Sequence, residues 1–215
     1  MNLTLCVTAH VDAGKTTLCE QLLCRSGVFW ACGRVDHGDA FMDDDPMERA
    51  RGITVFTEQA ALEWHTDSGE PLFVTLMDTP GHVDFSGEME RALSVLDAAL
   101  LVVSCVEGVQ SHTVTLFKLL RKKHIPTLIF LNKTDREGAD AARVTAQMQR
   151  LLSGDCVLMT GADADALREE LAARDEALLE AHFSDCAKRE DYLDGARRAF
   201  LNGALFPVLA GSALT

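Results

Sequence analysis

The chain alternates short apolar runs with longer stretches in which apolar residues recur every three or four positions. Leu3 to Ala9 is an unbroken strand-like run. It passes through Ala9-His10-Val11-Asp12-Ala13-Gly14-Lys15-Thr16 into Leu18, Leu22 and Leu23 at helical spacing, so the opening reads strand, loop, helix. Residues 31–54 are rich in Gly and Asp, hold no sustained period and predict a long loop, which in a compact domain is more often functional than idle. Strands are expected at about 55–64 and 72–77, joined by turn residues from His65 to Pro71 as an antiparallel pair. Beyond them the pattern is strand Ala98–Ser104, helix Ser111–Lys123, strand Pro126–Leu131, helix Ala139–Leu152 and a last strand Leu205–Ala210. Near-continuous apolar strands separated by helices predict an α/β fold with a mostly parallel six-stranded sheet, covered on both faces, and one antiparallel edge pair.

The rhythm breaks between about 163 and 202, where two helical patterns follow one another without a strand: Leu167, Leu171, Leu178, Leu179, then Tyr192, Leu193, Ala196, Phe200. This predicts a helical insertion before the last strand. Eleven acidic and six basic side chains over 161–200 read as solvated helix faces. The chain ends within five residues of the last predicted strand, which reads as a cut in a longer protein.

At 215 residues, 47% hydrophobic and 25% charged, the chain suits one sizeable core with a small appendage. A net charge of -13 argues against independent binding of nucleic acid, which needs a basic face. No apolar run reaches the ~18–20 residues of a membrane span, and a cytoplasmic location is expected. The seven cysteines include no C-x-x-C pair, so reduced structural thiols are expected in preference to disulfides or zinc.

Several short segments carry chemistry. A strand turning through Gly14 into a helix offers backbone N–H groups and the positive end of the helix dipole to an anion. There Gly14 permits close approach, Lys15 reaches the terminal phosphates and the Thr16 hydroxyl ligates magnesium. Asp78-Thr79-Pro80-Gly81-His82 follows a strand, where Asp78 can hold magnesium through water and Gly81 can offer its N–H to a terminal phosphate. Asn132-Lys133-Thr134-Asp135 suits a guanine edge. Asp135 accepts from the ring N–H and the exocyclic amine, Asn132 satisfies the opposite edge and the Lys133 stem lies along the ring. Adenine would leave that carboxylate facing the wrong groups, so GTP is favoured over ATP. Alone, the tetrapeptide would also serve as a helix N-cap. In Arg51-Gly52-Ile53-Thr54, Thr54 can complete a magnesium shell, and in Ser212-Ala213-Leu214 the Ala213 N–H can meet the guanine carbonyl. These elements fall at strand ends or in long loops, on the ligand side of an open sheet.

Together, residues 9–16, 51–54, 78–82, 132–135 and 212–214 resemble the nucleotide-binding domain of translational GTPases, with elongation factor G as the type member. Ala9 to Thr17, Glu48 to Thr54, Ser94-Val95-Leu96-Asp97, Leu119-Leu120-Arg121-Lys122 and Ile125-Pro126-Thr127 look like the Tet(M)-type tetracycline-resistance ribosomal protection proteins. The resemblance implies a three-layer P-loop NTPase (G domain) over 1–215, with later domains of a parent protein absent. It implies a phosphate site from Asp12, Ala13, Gly14, Lys15, Thr16, Thr17 and Gly81, and a guanine site from Asn132, Lys133, Asp135, Ser212, Ala213 and Leu214. Magnesium falls to Thr16, Thr54 and, via water, Asp78. His82 matches the histidine that orients the attacking water, gated by Val11 and Ile53, and Asp12 matches a residue associated in some relatives with a monovalent cation.

The function implied is ribosome-stimulated hydrolysis of GTP by a monomeric factor that releases tetracycline from the ribosome. An elongation factor G paralogue acting in translocation and a nucleotide-gated binding module stay open as alternatives. A kinase or ATPase sharing only Gly14-Lys15-Thr16 is a third. The resemblance also places the insertion where elongation factor G carries a helical subdomain near the ribosomal stalk.

Overall fold

The computed structural model describes residues 2–27, 58–66, 69–78, 93–184 and 186–214. Strand β1 (Asn2–Ala9) leads into helix α1 (Lys15–Arg25), and a hairpin of β2 (Glu58–His65) and β3 (Pro71–Asp78) follows. Then come β4 (Ala98–Ser104), α2 (Ser111–Lys122), β5 (Thr127–Asn132), α3 (Ala141–Leu151) and β6 (Cys156–Leu158). Three helices, α4 (Ala164–Ala172), α5 (Glu176–Phe183) and α6 (Arg189–Leu201), precede β7 (Phe206–Ala210).

The strands form one sheet in the order β2-β3-β1-β4-β5-β7-β6, parallel except for the β2–β3 pair at one edge. β1 has β3 on one side and β4 on the other, so the chain runs first to one flank and then to the opposite one. That reversal at β1 is a topological switch point, where the loops beyond the strand ends diverge and leave a crevice. Register puts Val7 beside Asp78, Ala9 beside Val102 and Ser104 beside Asn132, which gathers these carboxyl ends along one edge.

β4 shows why the sheet must be covered twice. Ala99, Leu101 and Val103 pack with Leu116, Phe117 and Leu120 of α2 and Val144 and Met148 of α3. Leu100 and Val102, pointing the other way, join Leu18, Cys19 and Leu23 of α1. Both faces of a seven-residue strand are buried, so Ala-Ala-Leu-Leu-Val-Val-Ser shows no polar alternation.

Two expectations are corrected. The described sheet has seven strands instead of six, because Cys156–Leu158 adds a parallel edge beside β7. Three residues are too few to display a period of two. The insertion holds three helices where two patterns are legible. Leu171 and Leu178 are both buried in one cluster with Val157, Ala199 and Leu205, and their seven-residue spacing carries a helical phase across the break at 173–175. Asp175 begins the new helix by accepting from Leu178 N–H at 2.9 Å. Asp163 does the same for α4, accepting from Asp165 and Ala166 N–H at 3.0 Å each. Part of the insertion's acidity is thus helix capping. α6 packs closely on α5 because Gly195 has no side chain: a Cβ there would meet Leu178 Cδ2 at 2.7 Å.

Cys6, Cys19, Cys105, Cys156 and Cys186 lie outside any disulfide, as expected. Cys24 departs from that expectation and is disulfide-bonded. Among the described residues no helix is long and apolar enough to cross a membrane.

Candidate functional site

The turn between β1 and α1 is tight. Ala13 N–H donates to His10 carbonyl at 3.2 Å, and the backbone is left-handed at Asp12 (φ 61) and Gly14 (φ 88). A Cβ on Gly14 would collide with the Asn132 amide nitrogen, so glycine is required by both conformation and space. Gly14 stands at the N-cap of α1 with no side-chain cap, and the first turn holds no acidic residue. The helix therefore presents its N-terminal N–H groups and positive dipole end with no acidic side chain in its own first turn. Lys15, the first residue of α1, is buried and forms an ion pair with Asp78, itself fully buried at the end of β3. Thr16 and Thr17 are half-buried and Asp12 is exposed at the mouth of the turn.

Asn132 joins this turn to the far end of the chain. Its amide donates to Ala13 carbonyl at 2.9 Å, while its Oδ1 accepts from Lys133 N–H and Ala213 N–H, both at 2.8 Å. The side chain is 3% exposed, so these bonds form where an unmet polar group is costly. Its last contact fixes the segment after β7, which Thr134 N–H also ties by donating to Gly211 carbonyl at 3.3 Å. Within that segment Leu214 N–H donates to Ser212 Oγ at 3.1 Å. Ser212 faces Asp135, and its hydroxyl holds the exposed Asp135 carboxyl below the usual carboxylate range, ionised and ready to accept.

Lys133 has a left-handed backbone, φ 66, and its Nζ lies 3.8 Å from Glu107 Oε1. The structure thus brings Ala13, Gly14, Lys15, Asp78, Asn132, Lys133, Asp135, Ser212 and Ala213 to one edge of the sheet. Val11 is half-buried in the same turn. Ile53, Thr54, Gly81 and His82 lie outside the described residues. His10 contacts His112 at the start of α2, with ring centroids 6.1 Å apart, a local packing role. Glu107 and His112 were not legible as neighbours of the site, since neither belongs to a motif and only the sheet order brings them near it.

The elongation factor Tu GTP binding domain family matches residues 2–215. Tetracycline resistance protein TetO of Campylobacter jejuni is 39% identical over 223 residues, covering 98% of this chain and 34% of the relative. The oxytetracycline resistance protein of Streptomyces rimosus is 41% identical over 235 residues, covering 99% and 35%. Tetracycline resistance protein TetM of Ureaplasma urealyticum is 38% identical over 219 residues, covering 96% and 34%. A crystal structure from Thermus thermophilus superposes with a TM-score of 0.84 at 25% identity, over 99% of this chain and 37% of that one. The chain thus spans about a third of the length of the relatives it matches. It belongs to the elongation factor Tu GTP binding domain family.

Proposed function

We propose that residues 1–215 act as the GTP-hydrolysing G domain of a longer translational factor, with the helical insertion at about 163–202 as an accessory surface. The observation that carries this reading is the Asn132 side chain, which holds the phosphate turn at Ala13 and the Ser212–Leu214 segment in one rigid unit. A nucleotide laid along that unit has its phosphates at the N-terminus of α1 and its base beside Asp135. Backbone N–H groups from Ala13 to Thr17 and the Lys15 ammonium meet the phosphates, with Gly81 supplying a further N–H to the terminal one. One N–H of the Asn132 amide serves Ala13, and the other is the donor for the base. Asp135 accepts from the guanine N–H groups, the Lys133 stem lies against the ring, and Ala213 with Ser212 and Leu214 closes the carbonyl side.

The chemistry of the donors, the Thr16 hydroxyl in the first turn of α1 and the buried Asp78 carboxylate paired with Lys15, suits a nucleotide accompanied by magnesium. Thr16, Thr54 and, through water, Asp78 would hold that ion, which neutralises charge on the phosphates. His82 orients the attacking water, and Val11 with Ile53 keeps it back until a partner moves it. By its match to some relatives, Asp12 is assigned a monovalent cation beside the phosphates. The partner is the ribosome, reached through the whole protein in the cytoplasm by a monomer with no nucleic-acid affinity of its own in this domain. The similarity to named tetracycline resistance proteins supports release of tetracycline from the ribosome as the output.

Two measurements test this. Binding of GDP without measurable ADP binding by the chain supports the guanine assignment, and equal affinity overturns it. Release of labelled tetracycline from ribosomes by the full-length protein, dependent on GTP and lost in Asp135→Asn, supports the protection reading. Ribosome-stimulated hydrolysis without release overturns it in favour of an elongation factor G paralogue.

A further inference from the structure

Lys133 has a backbone hydrogen bond to Asn132 and an ion pair at its ammonium. Its N–H donates to Asn132 Oδ1 at 2.8 Å, and its Nζ lies 3.8 Å from Glu107 Oε1, with the Lys133 side chain only 18% exposed. Partial burial of the side chain and the pairing of its ammonium reduce the rotamers open to the aliphatic stem. An ordered stem loses less entropy when a flat ring settles against it.

The carboxylate that makes the outer grip sits on a fixed loop. Glu107 N–H donates to Ser104 Oγ at 3.2 Å, and Gln110 Nε2 donates to Glu107 carbonyl at 3.1 Å. From α3, Arg143 Nη2 donates to Val106 carbonyl at 3.0 Å, and Gln147 Oε1 accepts from Val109 N–H at 3.3 Å. Gly108, at φ 73, lets the loop lie so close to Gln147 that a Cβ would collide with its amide. The core helix α3 thus fixes the backbone from which the Glu107 side chain reaches Lys133.

We propose that Glu107 is a positioning residue for guanine binding, holding the Lys133 ammonium so that its stem is ordered before the base arrives. The inference rests on the guanine assignment of Lys133 made above. The pair is partly exposed, so removing its charge should weaken GDP binding about two- to fivefold.

Fluorescent GDP titrations of the wild type, Glu107→Gln, Lys133→Met and the double variant test it, with melting temperatures measured alongside. The expected result is weaker binding by Glu107→Gln at an unchanged melting temperature, a deficit that shrinks in molar salt, and a double variant no weaker than Lys133→Met alone. Multiplying deficits overturn the proposal, as does a Glu107→Gln protein that binds as well as the wild type while Lys133→Met is weak. If Lys133→Met also binds like the wild type, the guanine assignment of Lys133 falls and the proposal falls with it.

Discussion

Asn132 hydrogen-bonds the carbonyl of Ala13, 119 residues earlier in the chain, at 2.9 Å. The same side chain receives N–H groups from Lys133 and Ala213, so three loops at one end of the sheet share a buried amide. Asn132→Ala would leave the Ala13 carbonyl and the two donors without that partner. We expect a loss of about 2–4 kcal/mol of stability together with loss of nucleotide binding, measured by urea unfolding and GDP titration. Unchanged unfolding would mean that the loops are held by other contacts.

Gly14→Ala tests the same junction from the other side. The added methyl meets the Asn132 amide in a backbone at φ 88, and we expect destabilisation of about 1–3 kcal/mol. GDP affinity should fall further than stability does if, as proposed, the displaced turn carries the phosphate donors. Calorimetric melting with and without GDP separates the two effects.

Asp175 caps α5 and accepts two bonds from Arg198, at 2.8 and 2.9 Å, and the Arg198 guanidinium holds its carboxyl below the usual range. Asp175→Ala should cost about 1–2 kcal/mol at neutral pH. A carboxyl whose folded titration lies below its unfolded value of about 3.9 stabilises fully above that value, and the contribution is lost as pH falls through the folded titration. The gap between wild type and Asp175→Ala in urea unfolding should therefore stay constant from neutral to mildly acidic pH and narrow below about pH 4. A gap that persists into strong acid would contradict this.

Burial pushes the Cys156 thiol up to about 12, whereas Cys186 is exposed. The thiolate is the reactive form, so alkylation near neutral pH followed by peptide mapping should label Cys186 rapidly and Cys156 only after unfolding. Equal labelling of the two in the native protein would show that β6 opens readily.

Much of this protein was legible from its residues alone. β4 was readable because a strand buried on both faces is apolar throughout, β5 and β7 because short apolar runs follow helices, and α2 and α3 because one face of each meets the core. Gly14 and Asp135 stood out in the sequence because the chemistry expected of a phosphate turn and a guanine acceptor calls for particular residues at strand ends, and the structure places both at the same end of the sheet. The structure decided what depends on topology. β6 exists because β7 offers its edge, a fact no three-residue run can signal. The break before α5 was hidden because Leu171 and Leu178 keep the same phase on either side of Asp175. The bond from Asn132 to Ala13 and the approach of Glu107 to Lys133 arise only once the strand order sets β4 between β1 and β5. Periodicity records how each element meets the core, whereas contacts between distant loops depend on how the elements are ordered, which no single segment encodes.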